Sequence, residues 1–454
     1  MNILFLSQSA QDVRGAACHT LPGLTSTRGL RSIDAAGSDV VCVCTGHQAL
    51  RLTDEALERM SSVLMQTGAG MVYSDRRVMR GGRVEPHPVI DYQPGSLRDD
   101  FDFGPLVAYS AKAFAEAVAA MDADYRFAAL YDLRLRVSRR HAIVHLPECL
   151  YTQTDSDTRL SGQKQFDYVD PRNADVQKEM EAACTAHLKA VGAWLPQLNV
   201  AEDLDAEPFD AEASVIIPVR DRCRSIADAI ASALGQQADF RFNVIVVDNH
   251  STDGTTDIVA RMAAADPRVV HIRPERTDLG IGGCWNAAVA DSRCGRFAVQ
   301  LDSDDLYIAP DVLSRIVAAF RTRRCAMIVG SYKLVDFDLR DLPPGIISHS
   351  EWTDANGHNN ALRINGLGAP RAFFTPVLRR LPMPNVSYGE DYAAGLAVGR
   401  AHTIGRIFEP LYLCRRWEGN SDANLDTERV NRNNLFKDRL RTIEIMARRH
   451  VNDR

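Results

Sequence analysis

The sequence predicts an α/β chain with two mixed sheets in tandem, the second complete and the first truncated. Three observations carry this prediction. From residue 213 to about 320, short apolar runs alternate with amphipathic stretches, the pattern of a mainly parallel, doubly wound sheet. Two distant stretches of the chain align with each other. And the apolar run Phe297-Ala-Val-Gln-Leu301 stops abruptly at Asp302-Ser303-Asp304-Asp305. As a buried strand, that run delivers carboxylates to its C-terminal edge, where open α/β sheets bind ligands.

Length and composition agree. The 454 residues suffice for two or three domains, and 45% hydrophobic with 25% charged residues supports real cores. A formal charge of −6 argues against a general nucleic-acid binder. The ten cysteines lack zinc-type spacing, which fits reduced, mostly buried thiols in a cytoplasmic protein. The stretch from Met1 to Ser7 lacks the basic start and length of a signal peptide, and no apolar run is long enough to cross a bilayer. Membrane association is expected to be peripheral at most.

In order, residues 1–160 read as one α/β unit. Strands are expected at 40–44, 70–73, 106–109 and 142–146, with a hairpin around Gly81-Gly82. Helices are expected at 54–66, 111–121 and 131–140. Residues 161–212 read as a connector, with a helix over 175–191 after Pro171 and a solvated acidic linker over 200–212. Residues 213–423 form the second unit. Its strands are expected at 214–219, 243–248, 269–272, 297–301, 327–333 and 403–408, with an extended stretch at 367–374. Its helices are expected at 225–234, 255–264, 282–290, 309–321 and 391–398, with Asp305 as a candidate cap ahead of the fourth. Pro343 to Asn360 reads as a long polar loop, a candidate acceptor-side lid. Residues 424–454 are a terminal amphipathic helix.

The internal match pairs Asp132 to Tyr151 with Asp391 to Tyr412, across a two-residue gap. Val40 to His47 falls where Phe297 to Asp304 falls, so Thr45-Gly46-His47 replaces Asp302-Ser303-Asp304. Fewer than forty residues precede the first copy's strand, too few for two full βα units. The expectation is a tandem duplication whose first copy lacks its nucleotide half and does not turn over.

Five motifs occur in order: Ser214-Val-Ile-Ile-Pro-Val-Arg220, Ile245 to Gly254, Leu279-Gly280 with Asn286, Asp302-Ser-Asp304, and Gly389-Glu390-Asp391. Together they resemble the family 2 glycosyltransferases, inverting enzymes of GT-A fold (a Rossmann-like mixed sheet), over residues 213 to about 420. The first copy resembles only the acceptor half of that fold. The resemblance implies a nucleotide-sugar site at Pro218, Val219, Arg220, Asp248, Asp278, Asn286, Asp302 and Ser303. It implies a divalent cation, Mn²⁺ or Mg²⁺, at Asp302 and Asp304, and a catalytic base at Asp391 with Glu390 beside it. From the residues alone, Asp248 and the Ser251 to Gly254 stretch also read as a helix-capping turn, and Glu390 and Asp391 as a helix N-terminus. The family usually has Asn at the position of Asp278 and often Arg at that of Trp285. Arg415, Arg416 and Trp417 fall where the family places basic or His residues near the diphosphate or acceptor. His349 and His358 read as packing residues, and His402 is the histidine to test as a metal partner.

The expected activity is transfer of one sugar from a nucleotide diphosphate sugar, a UDP-sugar first, to a hydroxyl on a glycan, lipid-linked or peptide acceptor, with inversion. Leu413 holds the first position of what would be Gln-x-x-Arg-Trp, so processive polymerisation is not expected. The first copy is assigned to acceptor binding or homodimer contact. A nucleotidyltransferase would need a Gly-rich loop after the first strand, which Pro218 to Cys223 is not. The alternative is a non-catalytic tandem pseudo-glycosyltransferase that binds glycans or scaffolds other enzymes.

Overall fold

The computed structural model describes residues 1–9, 12–46, 50–154, 173–420 and 425–454. The chain divides into two compact units: Met1–Trp194 with Leu362–Ile364 and Leu425–Arg454, and Leu195–Ala361 with Asn365–Asn424. Among the described residues no helix is long and apolar enough to cross a membrane.

The first unit opens with β1 (Ile3–Ser7), β2 (Ala17–Thr20), α1 (Thr27–Arg31) and β3 (Val40–Cys44). There follow β4 (Arg51–Leu52), α2 (Ala56–Thr67), β5 (Met71–Ser74), and the hairpin β6 (Arg76–Arg80) and β7 (Arg83–His87). Gly81 and Gly82 both have positive φ, 52° and 81°, as a tight two-residue hairpin turn requires. Then come β8 (Leu106–Ser110), α3 (Ala111–Ala119), α4 (Ala129–Ser138), β9 (Ile143–Leu146), β10 (Tyr151–Thr154) and α5 (Ala174–Ala190). Glu179 of α5 accepts the backbone N–H groups of Arg126, Phe127 and Ala128, satisfying donors that α4 leaves open at its start. Pro171 lies outside the described residues.

The second unit runs β11 (Ala213–Val219), α6 (Ile226–Leu234), β12 (Phe242–Asp248), α7 (Thr255–Ala265), β13 (Val269–Ile272), α8 (Ile281–Ala290) and β14 (Phe297–Gln300). These are the alternating strands and helices read from the sequence. Next are β15 (Leu306–Tyr307), α9 (Val312–Arg323), the long β16 (Met327–Asp336), β17 (Asp341–Ile347) and α10 (Gly357–Asn360). The unit closes with β18 (Arg371–Phe374), α11 (Thr375–Arg380), α12 (Glu390–Ala401) and β19 (Ile404–Arg416). The last helix, α13 (Thr427–Asn452), belongs to the first unit, where Asp438 joins Ser96, Arg98 and Arg441 in a buried ionic cluster.

The strand order of the second unit is β13-β12-β11-β14-β18-β16-β19-β15, with β17 on β16. The pairs β11–β12, β11–β14 and β16–β19 are parallel, and β18 is antiparallel to both β14 and β16. This is the mixed sheet of the expected GT-A class. The first unit's main sheet, β2-β1-β3-β8-β5-β9, repeats the stretch from β12 to β19 with the same strand senses. Its second sheet, β4-β10-β6-β7, repeats β15-β19-β16-β17. Among the described residues β13 has no counterpart. Pairing registers equate Val40 with Phe297, hence Thr45 with Asp302, Gly46 with Ser303 and Val43 with Gln300. They equate Val107 with Arg371 and Tyr151 with Tyr412. His47, the expected partner of Asp304, lies outside the described residues.

Three expectations need correction. The segment before β3 does accommodate two strands of the nucleotide half, β1 and β2. β2 is an edge strand with mostly exposed residues, so it needs no full-length helix to cover it. The acidic linker is largely exposed but not free: Leu204 and Ala211 are buried, and Glu212 and Asp205 pair with Arg296 and Arg321, strapping the segment onto its own unit. The stretch from 343 to 360 is not an unstructured loop. Its first five residues complete β17, ending at buried Ile347, and His349, Trp352 and Asn359 of the remainder are buried.

Candidate active site

β14 is held from below by Phe297, stacked on Phe320 of α9 at 4.3 Å between centroids. At its end the chain turns sharply. The Asp302 N–H donates to the Tyr412 hydroxyl (2.8 Å) and the Asp305 N–H to the Asp302 carbonyl (3.1 Å). Gln300 aims its amide along the same edge: Oε1 accepts the Arg371 N–H (3.0 Å), and Nε2 donates to Asp302 Oδ1 (2.9 Å). Burial pushes the Asp302 carboxyl up, against the pull of the Arg371 charge and the Gln300 bond. Ser303 is buried between the two carboxylates.

Asp304 Oδ2 accepts Trp417 Nε1–H and Asn420 Nδ2–H, each at 3.1 Å, with Arg222 Nε 3.9 Å away. Trp417 thus supports a carboxylate, as a donor-only indole must. It packs on Phe337, and the Arg224 guanidinium lies over both rings. Arg415 braces the acidic turn, with Nη2 left without a hydrogen-bond partner. It is buried, its Nε donates to the Asp304 carbonyl, Nη1 donates to Asp228 (3.1 Å), and its own N–H donates to Asp305 (2.7 Å). Asp305 is therefore an internal brace rather than a helix cap, and burial followed by Asp302 and Asp304 drives its carboxyl far above the usual range. Arg416 ends β19 opposite Asp336.

The other side of the site is the start of α12. Gly389 takes φ 77° as the residue before it, and Glu390 and Asp391 form the first turn. Asp391 Oδ2 meets Arg371 Nη1 at 2.6 Å, and Oδ1 accepts the Tyr392 N–H at 2.7 Å. Glu390 is only 8% exposed, and its Oε2 is buried without a hydrogen-bond partner. Burial, then the Asp391 charge, pushes the Glu390 carboxyl up to about 8. Burial opposes the charge of Arg371, but Asp391, then Asp302 and Glu390, raise its proton affinity further. Arg371 and Gln300 were not singled out in the sequence. The one local signal was a lone arginine opening the apolar run Arg371-Ala-Phe-Phe.

Several expected donor-site residues lie elsewhere or hold the scaffold. Pro218 and Val219 end β11 and Arg220 is exposed just beyond, while Asp221, Arg222 and Cys223 are stitched to the loop 251–255. Asp248 has no exposed surface. Its carboxylate accepts Ser251 N–H (3.0 Å) and the Thr256 hydroxyl (2.5 Å), the capping turn that the residues suggested. Burial raises its affinity for a proton, and those two bonds lower it by more. Asp278 is a surface residue paired with Arg276 at 2.7 Å. Asn286 bonds both ways to the Met383 backbone (2.8 and 2.9 Å), tying α8 to the segment before α12. His402 Nδ1 lies 2.6 Å from Glu202, which removes it from the candidate metal set. His349 and His358 are buried packing residues, as expected. In the first unit, Asp132 is fully buried and paired with Arg136 at 2.8 Å.

Among the described residues no three His, Cys, Asp or Glu side chains converge as a closed metal cage needs. Asp302 and Asp304 do fit a hard cation: one oxygen of each accepts protein hydrogen bonds, and the other accepts none. Two carboxylates with substrate phosphates and water make an ordinary Mg²⁺ or Mn²⁺ shell. All ten cysteines are unbridged.

The sequence pattern of glycosyl transferase family 2 matches residues 214–379. A Sinorhizobium fredii protein, y4gI, is 27% identical over 259 residues, covering 55% of this chain and 28% of that protein. The putative teichuronic acid biosynthesis glycosyltransferase TuaG of Bacillus subtilis is 28% identical over 190 residues, 41% of this chain and 71% of TuaG. The chain thus spans well under a third of the first relative and about seven tenths of the second. Among solved structures, S. aureus TarS residues 1–349 with UDP-GlcNAc aligns at 21% identity and TM-score 0.39, covering 52% of this chain and 72% of that TarS segment. The mannosyltransferase PcManGT of Pyrobaculum calidifontis, with GDP-Man and Mn²⁺, aligns at 17% identity and TM-score 0.39, covering 62% and 80%.

Proposed function

Residues 214–379 carry a glycosyl transferase family 2 domain, and from this we propose that the chain transfers a single sugar from a nucleotide diphosphate sugar, a UDP-sugar first among them, to an acceptor hydroxyl with inversion. The observation that carries the reading is the convergence of two carboxylate sets across Arg371: Asp302 and Asp304 at the end of β14, and Glu390 and Asp391 at the start of α12.

Asp391 is the general base. Its Oδ2 meets Arg371 and its Oδ1 accepts the Tyr392 N–H, which orient the carboxylate at the helix start. It takes the proton of the acceptor hydroxyl while that oxygen bonds to the anomeric carbon. The bond from that carbon to the diphosphate oxygen breaks, and its electron pair leaves with the nucleoside diphosphate. Base catalysis of this kind contributes about 10²- to 10⁴-fold in rate. Glu390, buried beside an ionised neighbour, stays protonated at neutral pH and offers an O–H to a sugar oxygen. Asp302 and Asp304 hold the divalent cation, which when bound supplies charge stabilisation to the departing diphosphate. Trp417 and Asn420 fix the Asp304 carboxylate for that role. The first unit is non-catalytic: Val43, Thr45 and Val107 stand where Gln300, Asp302 and Arg371 stand in the second.

Thermal stability against a nucleotide panel, with and without Mn²⁺, tests the donor site. A nucleotide at about a hundred times its Kd stabilises by roughly 2.7 kcal/mol. A metal-dependent shift with UDP, lost in Asp304→Ala, together with UDP release that Asp391→Asn abolishes, is the expected result. Absence of any nucleotide shift and of any nucleotide release would overturn the reading in favour of a glycan-binding or scaffold role.

A further inference from the structure

Resting on the transferase reading above, we propose that Arg371 is a positioning residue that couples the donor edge of the sheet to the catalytic base. It is a strand residue bonded toward both halves of the site. Through its backbone N–H it holds Gln300, which in turn holds Asp302 Oδ1 (3.0 and 2.9 Å). Through its side chain it holds Asp391 Oδ2 at 2.6 Å, with Nη1 also donating to the Gly368 carbonyl at 2.9 Å. A shift at either end therefore reaches the other through Arg371 of β18, a strand between β14 and β16.

Electrostatics gives the same answer. Glu390 and Asp391 are adjacent carboxylates at the start of α12, and like charges at close range oppose each other. A guanidinium bonded to Asp391 and not to Glu390 selects which of the adjacent pair is ionised. The guanidinium sits on Asp391 Oδ2, and Glu390 Oε2 is left without a hydrogen-bond partner.

The first unit supplies an internal control. At the register positions of Gln300, Asp302 and Arg371 it carries Val43, Thr45 and Val107. A purely structural role would let the arginine persist without the carboxylates. Instead the arginine is missing together with the glutamine and carboxylate of the donor edge, and Asp132, aligned with Asp391, pairs with Arg136 from its own helix.

The test is a double-mutant cycle on the full chain, using Arg371→Met, Asp391→Asn and the double variant, with UDP release from the accepted UDP-sugar as the readout. Arg371→Met is expected to lower kcat by about 10²-fold, within the usual scale for loss of base function. Donor KM and the UDP-induced melting shift stay as in the wild type. Adding Arg371→Met to Asp391→Asn costs nothing further, since the arginine acts through the base. Arg371→Lys retains the charge without the planar fork and loses only about tenfold. If Arg371→Met fails to fold, Arg371→Lys decides: a tenfold kcat loss at unchanged donor KM supports the proposal, and an unchanged kcat overturns it. Losses that multiply in the double variant, or a wild-type kcat in Arg371→Met, also overturn it while leaving the transferase reading intact. A wild-type chain releasing no UDP, or Asp391→Asn as active as wild type, removes both.

Discussion

Gly282→Ala is the sharpest probe of how the base is positioned. A Cβ at Gly282 would sit 2.0 Å from the Pro384 carbonyl oxygen and 2.9 Å from Glu390 Cβ. Real Cβ contacts do not fall below 3.0 Å, so the 384–390 segment must retreat from α8 by about 1 Å. The obstacle is backbone, anchored by Gly282 N–H to the Val386 carbonyl (3.0 Å) and by Asn286 to Met383, so it cannot swing aside as a side chain would. Overpacking of this kind destabilises by about 1–3 kcal/mol. The same retreat carries Glu390 and Asp391 away from the donor edge, and a misplacement of about 1 Å can cost roughly 10²-fold in rate. The expected result is a modestly lower melting temperature, a kcat for UDP release down by about two orders of magnitude, and an almost unchanged donor KM. A variant with wild-type melting and wild-type kcat would refute the claim that contact between α8 and the 384–390 segment positions the base.

Three further outcomes follow from the geometry. Glu390 titrates in the folded chain near 8 against an ordinary 4.5, so the stability it contributes is complete below pH 4.5 and is lost as pH rises through 8. Glu390→Gln, which cannot ionise, should lose less melting temperature than wild type between about pH 5 and about pH 9; parallel pH profiles would contradict this. Asp438→Ala leaves the buried Arg98 and Arg441 without their shared carboxylate and should cost about 3–5 kcal/mol in urea unfolding. Asp278→Asn should leave the UDP-induced melting shift unchanged, because Asp278 is a surface partner of Arg276; loss of the shift would restore its ribose-side role.

The candidate site was legible wherever chemistry is written in consecutive residues. Asp302-Ser-Asp304 and Gly389-Glu390-Asp391 are local patterns at a strand end and a helix start, and both lie where the reading put them. Arg371 and Gln300 escaped because each belongs to a strand that reads as apolar. Their partners lie in other segments, Arg371 twenty residues from Asp391 and seventy-one from Gln300. Asn286 and His402 were misplaced for the converse reason. Their motif or composition suited a ligand, but the Met383 backbone and Glu202 satisfy them first. Trp417 stood where a histidine was expected, and only its bond to Asp304 gives it a purpose.

By itself the sequence determined the alternation of strands and helices, the Gly81-Gly82 turn, the doubled architecture and the two acidic motifs. Each of these depends on spacing of a few residues or on direct comparison of two stretches. The tertiary structure decided that a pared-down nucleotide half fits before β3, that α13 belongs to the first unit, and that the acidic linker and the 343–360 segment pack down. It also decided which carboxylates stay buried as braces and which face the site. Those outcomes turn on which distant donor reaches a polar group first, and hydrophobic periodicity carries no information about partners a hundred residues away.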